Sequence, residues 1–143
     1  MKRRKTVWLF AFLCLLLLSL WGCGKKDEAA GYIEQGMEAL AGGDPAGAKE
    51  ILAKAEEQAP EDAGVLRALG IVFYQEGDYP QAVSYFSNAL LALGDDGEPG
   101  VREDILRYKA DAEAAAADYG AAVSDYDQLI AMNKEPAEYY LLR

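Results

Sequence analysis

The feature that most constrains this chain is an internal period of 34 residues. Aligning Gly36 with Gly70 places an alanine twelve residues after each glycine (Ala48, Ala82). A large apolar residue follows at sixteen (Leu52, Phe86), and a second alanine at nineteen (Ala55, Ala89). A Gly-Asp pair stands seven residues after each glycine, at Gly43-Asp44 and Gly77-Asp78. A third copy follows at an offset of 40, with Ala110 in the glycine place, Ala122, and Tyr126 as the large residue. There Ala117-Asp118-Tyr119 parallels Gly77-Asp78-Tyr79, and Leu129 replaces the second alanine. A period of this length signals stacked supersecondary units, none of which can bury its apolar face alone.

Within each copy the apolar spacing is helical, and alanine and leucine dominate the composition. Each copy reads as two helices joined by a tight turn. First helices are expected near Ala29–Ala41, Ala63–Glu76 and Arg102–Ala116, and second helices near Pro45–Gln58, Tyr79–Leu93 and Gly120–Met132. Asp44, Asp78 and Asp118 stand where N-caps belong, and Pro45 and Pro80 fall in first turns, where no amide hydrogen bond is lost. Gly36, Gly70 and Ala110 are small where paired helices must approach, while Leu52, Phe86 and Tyr126 are large enough to fill the gap to the next copy. The six extra residues before copy three are expected in the loop Gly94-Asp95-Asp96-Gly97-Glu98-Pro99-Gly100. The fold class is therefore all-α: an antiparallel helix-hairpin solenoid of about three repeats plus a partial fourth helix. The copies span about 29–62, 63–96 and 103–136, with the partial helix at 137–143. Tyr126, Leu129 and Ile130 would then need a cover at the C-terminal end: Glu135–Arg143 is either a short cap or, the favoured reading, the opening of a longer array.

These marks, with Tyr74 and Pro60 included, resemble the tetratricopeptide repeat (TPR) over nearly all of residues 29–143. The resemblance implies a non-enzymatic module that binds a protein or peptide, without cofactor, metal or small-molecule substrate. It also implies a groove lined by successive first helices. Helical spacing assigns that face Ile33, Met37 and Leu40 in copy one, Arg67, Ile71 and Gln75 in copy two, and Asp104, Arg107 and Asp111 in copy three. Family members that grip a C-terminal carboxylate use lysine and asparagine where this chain has Ile33 and Met37, so that mode is not expected. A helix or extended segment with an apolar patch fits better.

Residues 1–22 are of another kind. Lys2, Arg3, Arg4 and Lys5 precede an apolar run from Val7 to Trp21, broken only by Ser19. That run suits a signal-peptide core and is short of the roughly 20 residues a spanning helix needs, although an uncut short anchor is the competing reading. Leu20-Trp21-Gly22-Cys23 resembles the lipobox of bacterial lipoproteins, with Leu20 and Gly22 in pattern and Trp21 departing from it. The resemblance implies cleavage after Gly22, lipidation of Cys23, and a polar tether over 23–28. Stable anchoring takes more than one acyl chain. The expected location is the cell envelope, with the repeats outside the cytoplasm and held to the membrane by the lipid. Cys14 lies within the core that would be discarded.

Charge and missing residue types narrow the chemistry. No acidic residue precedes Asp27, so the chain from Cys23 onward carries 10 basic and 24 acidic side chains, a formal charge of −14. Such a surface repels nucleic acid and anionic lipid. There is no histidine, which removes Ser-His and Cys-His nucleophile arrangements. No phosphate-binding glycine loop or metal-spaced Cys/His set occurs. Asp95-Asp96-Gly97-Glu98 lacks the alternating acids of a calcium loop and reads as a solvated turn. Three functions remain: a membrane-anchored interaction scaffold of the bacterial envelope, an accessory subunit of a cell-wall or secretion enzyme with a further domain beyond residue 143, or a passive bridge between envelope layers.

Overall fold

The computed structural model describes residues 27–132. Cys23 and the tether residues before Asp27 lie outside them, as does Pro136–Arg143. Six helices follow one another: α1 over 27–41, α2 Pro45–Gln58, α3 Ala63–Glu76, α4 Tyr79–Leu93, α5 Pro99–Ala115 and α6 Tyr119–Met132. Asp27 and Glu28, expected in the tether, are already helical.

The three hairpin turns share one hydrogen-bonding scheme. Gly43 and Gly77 take left-handed φ of 82° and 79°, and Ala117 takes φ 62° at the same place in copy three. Their amides donate to the carbonyls of Leu40, Tyr74 and Ala114. The amides of Asp44, Asp78 and Asp118 donate to the carbonyls of Ala39, Phe73 and Glu113. That pairing is a Schellman closure, which satisfies carbonyls the helix end would leave bare. Each of these aspartates then caps the helix that follows. Asp44 accepts from the amide of Gly47 at 2.8 Å, Asp78 from Gln81 at 3.3 Å and Asp118 from Ala121 at 3.2 Å. Asp62, in the loop between copies one and two, caps α3 through the amides of Gly64 and Val65.

Packing follows the period. Leu52 and Phe86 are fully buried, each over the glycine of its own copy. A β-carbon on Gly36 would lie 2.6 Å from Leu52 Cγ, and one on Gly70 would lie 2.6 Å from Phe86 Cε1. Phe86 also stacks on Tyr108 of α5, with ring centroids 5.8 Å apart, so the large residue fills the gap to the next copy as well. Ala48, Ala55, Ala82, Ala89 and Ala110 are all fully buried. Two apolar clusters result. One runs from α1 through α4 and takes in Ile105 and Ala112 of α5. The other joins Leu106 and Ala110 of α5 to Ala122, Tyr126 and Leu129 of α6. Helix α5 thus divides the core, burying one side in each cluster.

The extra residues of copy three do not mainly form loop, as the composition of 94–100 suggested. Helix α4 is one residue longer than α2, the connecting loop is one longer, and four residues extend the start of α5 by about one turn. Pro99 opens that turn, where its missing amide costs nothing.

Candidate partner-binding face

Helices α3 and α5 lie side by side, and an ion-pair bridge crosses their shared face. Arg67 of α3 pairs with Asp104 of α5, and Arg107 pairs with the same carboxylate at 2.9 Å. The three side chains keep 30%, 26% and 45% of their surface, so solvent and a ligand can both reach them. Toward copy one, Ile33 is half-buried, with its Cδ1 beside Gly64 of α3, and Met37 is half-buried one turn on. Gln75 is exposed at the far end of α3.

Three of the expected groove residues are otherwise engaged. Leu40 and Ile71 are only 4% and 2% exposed and belong to the core. Ile71 follows the packing glycine of the middle first helix, which has a neighbour on each side, so the position open at the edge of an array is covered in its centre. Asp111 is half-buried and accepts a 2.6 Å hydrogen bond from the Tyr126 hydroxyl. Burial, followed by that bond, raises the Tyr126 pKa above the ordinary phenol value. Tyr74 sits edge-on to Tyr79 and Tyr108, at 5.8 and 5.9 Å, so it is packing rather than a partner anchor.

The sequence reading missed a second charged group, on the other side of α5. Lys109 is shared between Glu113, one helical turn on, and Asp125 of α6, the latter at 2.6 Å. Gln128 donates to the second oxygen of Asp125 at 2.9 Å. Glu113 and Asp125 are 4% and 6% exposed, and Oε2 of Glu113 is buried without a hydrogen-bond partner. Burial raises the Glu113 pKa, although Lys109 works against it. Burial would lower the Lys109 pKa, but its two carboxylates more than offset that and raise it. The signal was present in the repeat register: Lys109 and Glu113 stand where copy two has Leu69 and Phe73, and Asp125 stands where it has Tyr85. In copy two those places hold a stacked pair, Phe73 on Tyr85 at 5.2 Å, with the Lys49 ammonium 4.2 Å above Phe73.

Residues 33–98 match the family model of the tetratricopeptide repeat. Solved structures share the fold across copy three as well. The N-terminal domain of stress-induced protein-1 (STI-1) from C. elegans superposes with a TM-score of 0.73 at 16% identity, covering 82% of this chain and 93% of that one. The first TPR domain of Spaghetti (RPAP3), bound to the HSP90 peptide SRMEEVD, gives 0.70 at 14%, covering 82% and 90%. The globular C-terminal domain of P. aeruginosa LpoP gives 0.66 at 20%, covering 71% and 94%. No functionally curated protein matches in sequence. Fold, period and family match together define an all-α scaffold of stacked helix hairpins. Residues 33–98 match the tetratricopeptide repeat, and the described part of copy three continues the same fold.

Proposed function

We propose that this chain is a membrane-anchored adaptor of the bacterial cell envelope that grips a protein segment along its first-helix face. The observation that carries the reading is the graded character of that face. It passes from apolar Ile33 and Met37 on α1 to the guanidiniums of Arg67 and Arg107, tied through Asp104 on α5. An apolar strip beside a cationic bridge suits an amphipathic segment bearing an acidic residue, laid across the helices. That a domain of the same fold holds a peptide supports a peptide as the ligand class. The anchor rests on the signal-like first 22 residues and on Leu20-Trp21-Gly22-Cys23.

Two experiments test the two halves separately. Photo-crosslinking residues placed at Met37 and Gln75 of the full chain, expressed in bacterial cells, should capture one defined protein that the exposed α2 position Glu57 does not. Equal capture from all three sites would remove the groove. Intact-mass analysis should find the membrane-bound protein cleaved after Gly22 and acylated, and Cys23→Ser should leave an uncleaved precursor. Cleavage and acylation of the serine variant would end the lipoprotein reading.

A further inference from the structure

Two buried carboxylates on one ammonium leave the α5–α6 interface with a net negative charge. Uncompensated buried charge is costly, and an acceptor without a donor adds to the cost. One proton would cancel both terms. Glu113 and Asp125 both contact the Lys109 ammonium, Asp125 at 2.6 Å, which brings their carboxylates to one site. A hydroxyl on Glu113 would therefore have an acceptor waiting, and Lys109 would balance the one remaining charge.

We propose that Lys109, Glu113 and Asp125 form a proton-operated clasp on the third hairpin, closed when Glu113 takes up a proton and loosened when it is ionised. The titratable groups facing Glu113 among the described residues are Lys109 on its own helix, and Asp125 and Tyr126 on α6. In the repeat register α4 brings apolar Val83 to the place from which Lys49 of α2 covers Phe73, so no second cation stands there. The two other hairpins fill the equivalent places with Ala39 and Ile51, or Phe73 and Tyr85, and hold no such pair of carboxylates. The pH response is thus local to copy three. Because α5 also carries Asp104 and Arg107, the clasp sets how firmly one wall of the first-helix face is held.

The sign follows from proton linkage. The native hairpin binds the proton more tightly than the opened one, so its stability rises as pH falls from neutral, by at most tenfold in the opening equilibrium per pH unit for one linked proton. Two measurements on the full chain in detergent decide the matter. Carboxyl-carbon NMR should show Glu113 titrating above the ordinary glutamate range. Amide exchange, corrected for its intrinsic pH dependence, should show α6 opening less often at pH 5.5 than at pH 7.5. Glu113→Gln and Asp125→Asn should each flatten that dependence and close the hairpin at pH 7.5. A wild-type Glu113 that titrates in the ordinary range, or variants that keep the wild-type slope, would overturn the proposal and assign the slope to general repulsion across the acidic domain.

Discussion

The ring of Phe86 lies over the bare Cα of Gly70, so close that a β-carbon there would stand 2.6 Å from Cε1 and 2.7 Å from Cδ1. Because Phe86 is also stacked on Tyr108, it has no empty space to retreat into. Gly70→Leu should separate α3 from α4 and cost about 1–3 kcal/mol or more by overpacking. Phe86→Ala alone should cost about 3–5 kcal/mol through its cavity. The double variant should recover part of the sum, since the new leucine can enter the space the ring leaves. Urea unfolding of the full chain, followed by circular dichroism, measures all three. Strict additivity would show that the two residues do not share a site.

Ala117 holds the left-handed conformation that Gly43 and Gly77 hold without penalty. A β-carbon makes that region costly by about 1–2 kcal/mol, partly offset by the greater chain entropy of glycine when unfolded. Ala117→Gly should therefore stabilise the third hairpin by up to about 1 kcal/mol, whereas Gly77→Ala should destabilise the second by a similar amount. Thermal midpoints of the two variants should move in opposite directions.

The Arg67–Asp104–Arg107 bridge should matter more for binding than for folding. Partly exposed ion pairs contribute about 0–1 kcal/mol, so Asp104→Asn should shift stability by less than about 1 kcal/mol. It also leaves two guanidiniums without their shared carboxylate. Once a partner is captured, titration calorimetry should show an acidic segment of it binding more tightly to this variant, with the gain lost at high salt.

Alkaline pH should weaken the fold through its tyrosines. Tyr126, Tyr74 and Tyr85 all have pKa values raised above the ordinary phenol value of about 10, with burial as the first cause in each case. A raised acid pKa means that the folded state favours the neutral phenol. The resulting stability is complete below pH 10 and is lost as pH climbs from there toward the folded-state values. Phenolate absorbance should therefore show a late-titrating group of tyrosines in the native chain and a single ordinary step in urea. Tyr126→Phe should remove one member of the late group, along with the hydrogen bond to Asp111.

Much of this architecture was legible in the residues because the period couples distant positions. A glycine and a large residue sixteen apart must meet if a hairpin closes, and Gly-Asp before each second helix marks both a turn and a cap. The core of α2, α3 and α4 therefore follows from spacing alone. Two things did not. The start of α5 was hidden because Pro99 and Gly100 read as loop, while a proline in the first turn of a helix is no obstacle. The groove list included Leu40 and Ile71 because helical spacing tells which side of a helix a residue lies on, and not how much of that side the neighbouring copy covers. The charged cluster went unnoticed for a related reason. A repeat shows itself through the places that agree, and Lys109, Glu113 and Asp125 occupy places where the copies differ.

In each hairpin turn a single aspartate ends one helix and begins the next, with its backbone amide committed backwards and its carboxylate committed forwards. No residue in these turns is spare. An insertion there would separate the two duties and leave either the closing carbonyl or the opening amide bare. The connection into α5 carries no such double obligation, because Glu98 makes no side-chain cap bond, and the growth of this chain is found there, most of it as one added turn at the head of α5. A whole turn returns every later side chain to nearly the same side of the helix, so Asp104 still meets Arg67 of α3 and Tyr108 still stacks on Phe86 of α4. Repeats built this way can drift in length only between hairpins, and there the tolerated unit is the turn rather than the residue.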